Sequence, residues 1–198
     1  MTNAQMGAYF DLLQDKSGEP YFTATEKNQF LNAAQTDFLN ELTGGNDPAK
    51  PSPLELDERS LRILQPLINP LTDTADTAGV LDLDSDFHAL LSLGKGDNSE
   101  VRFVKYNDWN TIVNNGFTTP SAGARAIYNY DTSGIKVLPV TQSDWEGIYI
   151  QTPTAIDVAT GTSDFPVGAH YSIVAKALVK AGVPTESEAL LLMDEITD

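Results

Sequence analysis

The two histidines, His88 and His170, are the side chains best suited to acid-base or metal chemistry near neutral pH. Both tasks need partner residues at a fixed spacing. His88 falls in a strand pattern and His170 opens a helix pattern, no H-E-x-x-H pair is present, and the chain lacks cysteine. The sequence therefore predicts ordinary structural roles for both histidines.

Three alternating aspartates, Asp82, Asp84 and Asp86, copy the first half of a calcium-binding loop. Carboxylates at this spacing can converge on one hard cation. The second half departs from the pattern, because Phe87 stands where the turn glycine belongs and Leu93 where the bidentate glutamate belongs. A solvated acidic turn is favoured over a cation site.

Two glycine-containing stretches match catalytic or nucleotide motifs only in part. Residues 94–96, Gly-Lys-Gly, lack the glycine spacing and the Lys-Ser/Thr ending of a phosphate loop, so a turn is predicted there. Residues 161–165 lack the last glycine of a G-x-S-x-G nucleophile elbow. The sequence thus predicts no catalytic residue, no cofactor site and no metal site, and we expect a protein that is not an enzyme.

Aromatic residues allow two further interpretations. Trp109 and Trp145 each follow an aspartate and border strand patterns, which fits either core packing or an anchor at a subunit interface. Tyr128, Tyr130 and Tyr149 fall in strand patterns, where they could form an aromatic platform for a ligand.

The charge of the chain restricts its partners. It has 28 acidic and 12 basic residues and a formal net charge of -16, which repels nucleic acid and anionic membranes over a Debye length of about 8 Å. The N-terminus has no secretory signal pattern, and no apolar run approaches the roughly 20 residues that span a bilayer. We expect a soluble protein that stays where it is made. Its acidic residues either keep it soluble or line a passage that DNA crosses without binding.

Helical spacing dominates residues 1–70. A first amphipathic helix is predicted around residues 5–13, and a second begins at a capping box formed by Thr23 and Glu26 and ends near Leu42, before two glycines. A connector with three prolines, residues 46–53, precedes a third helix over roughly residues 56–68 that Pro66 kinks or ends. Asn69-Pro70 closes this part of the chain.

The period of the apolar residues changes to two between Gly79 and about Ile156, which indicates strands. Two hairpins are predicted, one joining residues 87–93 to 101–104 and one joining 126–130 to 135–139, and the last strand covers 147–151. Short connections favour antiparallel pairing. The interruption at residues 107–120 predicts a brief helical turn packed on the sheet.

Helical spacing returns from about Val167 to Gly182, and residues 185–196 can form a further turn or two. The sequence therefore predicts an α+β fold. Residues 1–70 and 161–198 form a helical bundle, and residues 71–160 form an antiparallel β-sheet or sandwich inserted between them.

In this order of elements the chain resembles the adaptor, ring and tail-tubular proteins of the head-to-tail connector, or neck, of tailed bacteriophages. The resemblance is carried by Phe30-Leu31-Asn32-Ala33-Ala34-Gln35-Thr36-Asp37-Phe38-Leu39, by Val80-Leu81-Asp82-Leu83-Asp84-Ser85-Asp86-Phe87-His88, by the strands Val101-Arg102-Phe103-Val104 and Ile148-Tyr149-Ile150, by Asn107-Asp108-Trp109, by the steps Thr119-Pro120 and Thr152-Pro153, and by Phe165-Pro166-Val167 leading into the helix with His170. The chain departs from the pattern at Asp82 or Asp84, where proline is usual.

The resemblance implies a structural virion protein, assembled in the host cytoplasm, that forms a closed homo-oligomeric ring of about twelve copies through heterologous contacts. Its partners would be the portal protein and other neck or tail ring proteins. The helical bundle would build the ring, and DNA would pass through a negative lumen without sequence-specific binding. Residues 44–53 and 157–164 are candidate segments that become ordered on docking, or are ordinary exposed loops.

Two other classes of function remain open at this point. One is a carbohydrate- or protein-binding β module that uses the tyrosine platform, and the other is an enzyme with an unfamiliar site that joins His88 or His170 to carboxylates. A binding module should be monomeric and saturable, whereas an adaptor should form a ring or bind one.

Overall fold

The computed structural model describes residues 1–17, 22–44, 56–73, 79–95, 101–115, 120, 126–131, 134–139 and 145–182. The described chain divides into two compact units. The helical unit comprises Met1–Asp47, Leu56–Leu67 and Pro153–Asp198, and the sandwich unit contains Ile68–Thr152. The predicted proline-rich connector at 46–53 and the predicted helix at 185–196 lie outside the described residues.

The helices begin and end at local signals. Their bounds are α1 Asn3–Ser17, α2 Ala24–Thr43, α3 Glu58–Leu64, α4 Tyr106–Val113 and α5 Val167–Lys180. The capping box predicted for α2 is confirmed: the Glu26 amide donates to the Thr23 hydroxyl, and the Thr23 amide donates to the Glu26 carboxylate. The helix ends at Gly44, whose φ of 77° is left-handed, so a residue without Cβ is suited to that position.

The third helix is shorter than predicted, because Pro66 cannot donate a backbone hydrogen bond. It stops at Leu64 and continues as a 3-10 turn, Gln65–Leu67. The chain then enters a strand, β1 Ile68–Asp73, where the sequence had predicted only the end of a helix. Pro70 is tolerated there because β1 is an edge strand of its sheet.

The core of the helical unit joins the two ends of the chain. α2 packs along α5, and α1 packs against both. Side chains that are almost fully buried come from all three helices, from the end of α3 and from the segment before α5: Met6, Phe10, Leu31, Leu39, Leu64, Ile156, Ile173, Val174 and Leu178. Burial of these apolar stripes is the main stabilising term of the unit.

The sandwich unit contains two sheets. Its remaining strands are β2 Val80–Leu81, β3 Phe87–Lys95, β4 Arg102–Phe103, β5 Ile127–Asp131, β6 Gly134–Leu138 and β7 Trp145–Gln151. One sheet has the order β1-β7-β3 and the other has the order β2-β6-β5-β4. Their facing residues form one buried cluster that includes Leu71, Leu90 and Trp145 of the first sheet and Leu81, Tyr128 and Ile135 of the second.

The four-stranded sheet is covered on its second face as well. Trp109 and Ile112 of α4 pack on Ile127 and Leu138, which point away from the shared core. The predicted helical turn on the sheet is therefore confirmed and has the length of a short helix. Val113, at the end of this helix, is 45% exposed.

Two predictions of strand pairing are wrong. β3 pairs with β7, 50 or more residues along the chain, and not with β4, so the first predicted hairpin does not form. β4 instead pairs with β5 in parallel, which short connections did not predict. The second hairpin, β5 with β6, is confirmed with antiparallel register from Ile127↔Leu138 to Asp131↔Gly134.

The fold class is confirmed as α+β, with helices from both chain ends and with one antiparallel and one mixed sheet. Among the described helices, none has the length and apolar character that crossing a bilayer requires.

Candidate functional site

His170 is a buried structural residue near the start of α5. It is 2% exposed, and its Nε2–H donates to the carbonyl oxygen of Phe165 at 2.7 Å. Its Nδ1 has no hydrogen-bond partner among the described residues. Burial lowers the pKa of His170, and the hydrogen bond to Phe165 opposes that shift. The ring is therefore neutral at neutral pH and fixes the turn that leads into α5.

His88 lies on β3 in the sandwich unit, whereas His170 belongs to the helical unit. Partial burial lowers the pKa of His88. Within the described residues, no three His, Asp or Glu side chains form a group that could hold a metal ion.

Two of the three alternating aspartates lie within hydrogen-bond distance of a tyrosine hydroxyl. The Tyr149 hydroxyl lies 3.1 Å from Asp84 Oδ2 and 3.2 Å from Asp86 Oδ1, so it can donate to either carboxylate. Burial and these two carboxylates raise the pKa of Tyr149 to about 12. Asp82 is exposed. The arrangement anchors the acidic turn onto β7 through a phenol.

The glycine-containing stretches do not form the loops that their motifs require. Gly94 and Lys95 continue β3 and pair with Glu146 and Trp145 of β7, so the predicted turn is absent at these two residues; Gly96 lies outside the described residues. Gly161 has a left-handed φ of 80° in the segment that leads to α5.

Two of the three tyrosines that could have formed an exposed aromatic platform are buried. Tyr128 is 1% exposed and Tyr149 is 4% exposed, because both point into the core between the two sheets. Trp145 is 1% exposed in the same core, and Trp109 is 8% exposed under α4. Core packing, and not an exposed ligand surface, accounts for these side chains.

A row of amide side chains on α2 holds residues 153–166, which we call the return segment. Asn32 accepts from the Ile156 amide at 2.7 Å and donates to the Ile156 carbonyl at 2.9 Å. Asn28 accepts from the Val158 amide at 2.9 Å, and Gln35 donates to the Thr154 carbonyl at 3.0 Å. This row was not predicted, although its spacing of four and three residues along one helix is visible in the sequence.

The return segment is also tied at its far end. Asn3 donates from its side chain to the Thr160 carbonyl at 2.9 Å and from its backbone to the Gly161 carbonyl at 3.2 Å. The Ala159 amide and the Asn28 side chain donate to Asp157 and lower its pKa. Residues 157–164, for which the sequence left open either ordering on docking or an ordinary exposed loop, are thus fixed by contacts within their own chain.

An open groove of about 500 Å³ lies within the helical unit. α2 contributes Phe38 and Leu42 to its lining, and the first turns of α5, with the residue before them, contribute Pro166, Gly168, Ala169 and Ser172. α3 supplies Glu58, Arg59, Arg62 and Ile63. The lining is mostly apolar with a charged rim, which is typical of a docking surface and not of a polar catalytic pocket.

Charged side chains from α2, α3 and α5 lie around the groove. Arg59 and Arg62 are exposed on its rim, and Arg62 pairs with Glu58 at 2.5 Å in an ion pair open to solvent. On the neighbouring faces of α2 and α5, Lys176 pairs with Glu41 at 2.5 Å. The groove is therefore bordered by charges of both signs. These arginines were not predicted as site residues, because three elements that are separate in the sequence come together to form the groove.

Comparison of the chain with protein-family models and with curated proteins finds no match.

Proposed function

We propose that this protein is a non-catalytic structural subunit that forms a ring in the head-to-tail connector of a tailed bacteriophage. The observation that carries the proposal is the path of the chain. Residues from both ends build one helical unit, and a complete β sandwich is inserted between them. The connector proteins that the sequence resembles have this layout, with helices to build a ring and a sheet to contact neighbouring rings.

The side chains that could take part in acid-base or metal chemistry make contacts that support a structural role. The buried imidazole of His170 fixes the start of α5, and Asp84 and Asp86 hold a tyrosine hydroxyl. The open groove of the helical unit is lined by mostly apolar residues together with Glu58, Arg59 and Arg62. These features favour binding of a polypeptide surface over chemistry on a small molecule.

The net charge of -16 supports the passage of DNA through such a ring. Phosphates are held by clusters of lysine and arginine, and each such contact strengthens binding. A lumen lined by carboxylates repels phosphates, so a genome slides through without being gripped.

A closed ring of about twelve copies requires one face of each subunit to contact a different face of the next. The helical unit presents several large exposed apolar side chains that fit such a contact. Leu12 of α1 is 55% exposed, Val167 is 56% exposed and Val179 of α5 is 60% exposed. In the proposal, this unit makes the ring and the sandwich contacts the rings above or below.

The proposal is tested by electron microscopy and mass photometry of the purified chain, alone and mixed with portal-bearing capsids. Annuli of uniform diameter, free or bound at the portal vertex, are the expected result. Monomeric particles and capsids without added density in every mixture would refute the proposal.

A matched pair of variants locates the ring contact. Leu12→Lys places a charge on the helical unit and should abolish annuli, whereas Val113→Lys, at a position 45% exposed on α4 of the sandwich, should leave them intact. Both positions are on the surface, so the expected change in stability is within about 0.5 kcal/mol, which thermal unfolding would check.

A further inference from the structure

Three helices hold the return segment through buried side chains. Each of these side chains donates a hydrogen on nitrogen to a backbone carbonyl of the segment: Gln35 of α2 to Thr154, Asn3 of α1 to Thr160 and His170 of α5 to Phe165. All three donors are buried. Among them, the imidazole is the one group that can gain a charge between pH 5 and pH 7.

The return segment depends on these bonds because it has little regular structure. Residues 153–166, all of them described, contain two isolated bridges but no helix or strand. A segment held mainly by side-chain bonds can open while the surrounding helices stay folded. Loss of one of its buried donors is therefore expected to act locally.

Protonation of His170 removes a favourable arrangement and replaces it with an unfavourable one. Nε2 already carries the hydrogen that bonds the Phe165 carbonyl at 2.7 Å, so a second proton must go to Nδ1. Nδ1 is buried and has no hydrogen-bond partner in the part of the chain that the structure describes. The imidazolium would be a buried charge with an N–H that lacks an acceptor, and both are costly.

The charged groups near the ring do not offset this cost. Burial is the main cause of the lowered pKa of His170, the hydrogen bond to Phe165 opposes it, and the Met1 ammonium lowers the pKa further. The described carboxylates of α1, α2 and the return segment are bonded to other groups: Asp11 to Lys27, Glu26 to Thr23, Asp37 to Lys180, Glu41 to Lys176, Asp157 to the Ala159 amide and Asp164 to the Thr154 amide.

We propose that His170 makes the return segment sensitive to acid: when the imidazole is protonated, this segment and the start of α5 detach while the rest of the helical unit stays folded. Detachment exposes Ile156 and Phe165, which are 2% and 3% exposed in the structure, and separates the Phe165 ring from that of Phe38. Apolar surface uncovered in this way favours association with other proteins, so the histidine links such association to pH. This inference does not depend on the connector function.

Hydrogen exchange followed by mass spectrometry tests the proposal in the full chain. Wild type, His170→Gln and the matched control His88→Gln are compared at about pH 7 and about pH 5.5, with rates corrected for intrinsic exchange. In wild type and in His88→Gln, peptides within residues 153–166 should lose protection roughly tenfold at the lower pH, because a ring with an ordinary pKa of 6.5 is then about ten times more often protonated than neutral. Peptides from α2 should keep their protection, and His170→Gln should show no such loss.

A measurement on the wild type covers the case in which His170→Gln does not fold. Nitrogen magnetic resonance of labelled imidazoles reads the tautomer and the protonation of His170 directly. The neutral ring should carry its hydrogen on Nε2, and its protonation below pH 6.5 should coincide with changes in the amide signals of Ile156 and Val158. An equal loss of protection in His170→Gln, an equal loss in α2, or titration of His170 with no change in these amides would overturn the proposal.

Discussion

The amide row on α2 gives the sharpest quantitative prediction. In Asn32→Ala, the Ile156 amide and the Ile156 carbonyl both lose their side-chain partner. Ile156 is 2% exposed, so its backbone groups are poorly placed to regain these bonds from bulk water. We expect the substitution to destabilise the helical unit by leaving two backbone groups unpaired.

The size of the destabilisation follows from the cost of leaving a buried polar group unpaired, which is about 1–3 kcal/mol. Two such groups therefore cost roughly 2–6 kcal/mol. The higher helix propensity of alanine offsets up to about 0.7 kcal/mol of this loss in the free energy of unfolding. Asn32 itself is only half-buried, and water entering the vacated space recovers part of the loss. The expected net loss in the free energy of unfolding is about 2–4 kcal/mol.

The assay is urea unfolding followed by two probes. Both tryptophans, Trp109 and Trp145, lie in the sandwich unit, so their fluorescence reports that unit, whereas far-ultraviolet circular dichroism is dominated by the helical unit. At a slope of about 2 kcal/mol/M, the circular dichroism midpoint of Asn32→Ala should fall by about 1–2 M urea.

Gln29→Ala is the matched control, because Gln29 is exposed on the same helix. Its free energy of unfolding should stay within about 0.5 kcal/mol of the wild-type value. If the Asn32→Ala midpoint moves no further than the Gln29→Ala midpoint, the amide row does not hold the return segment as described.

Three further predictions concern single residues. Gly147→Ala should destabilise the sandwich unit by about 1–3 kcal/mol in urea unfolding followed by tryptophan fluorescence, since an added Cβ would lie 2.7 Å from the Ser92 carbonyl oxygen. Tyr149→Phe should remove the phenol that titrates at about 12 in an ultraviolet pH titration; its raised pKa contributes stability below pH 10 that is lost as pH rises toward 12. Because the pKa of His170 is lowered in the folded state, the wild-type helical unit should lose free energy of unfolding as the pH falls below 6.5 and the ring becomes protonated. In His170→Gln this loss should be smaller.

Each of these predictions has an outcome that contradicts it. Gly168→Ala, where an added Cβ meets nothing within 4 Å, should leave stability unchanged or raise it by up to about 1 kcal/mol, and an equal loss in both glycine variants would contradict the steric argument. An unchanged titration in Tyr149→Phe would assign the high pKa to another tyrosine. Parallel stability curves of wild type and His170→Gln between pH 7 and about pH 5.5 would remove the role given to the imidazole.

Elements that depend on neighbouring residues were predictable from the sequence. The start of α2 follows from Thr23 and Glu26, its end from Gly44, and the end of α5 from Gly182. The β5–β6 hairpin was predictable for the same reason, because its strands are joined by a short turn. In each case the hydrogen bonds involved link residues that are near one another in the sequence; the paired residues of the hairpin are 3 to 11 positions apart.

Contacts between distant residues were decided by the tertiary structure. The choice of β7 over β4 as the partner of β3 depends on residues far along the chain, and alternation of side chains cannot identify a strand's neighbour. The four-stranded sheet is covered on both faces, so its alternation does not separate exposed from buried tyrosines. The groove, finally, exists only where α2, α3 and α5 meet, and its arginine rim becomes recognisable when packing brings these three elements together.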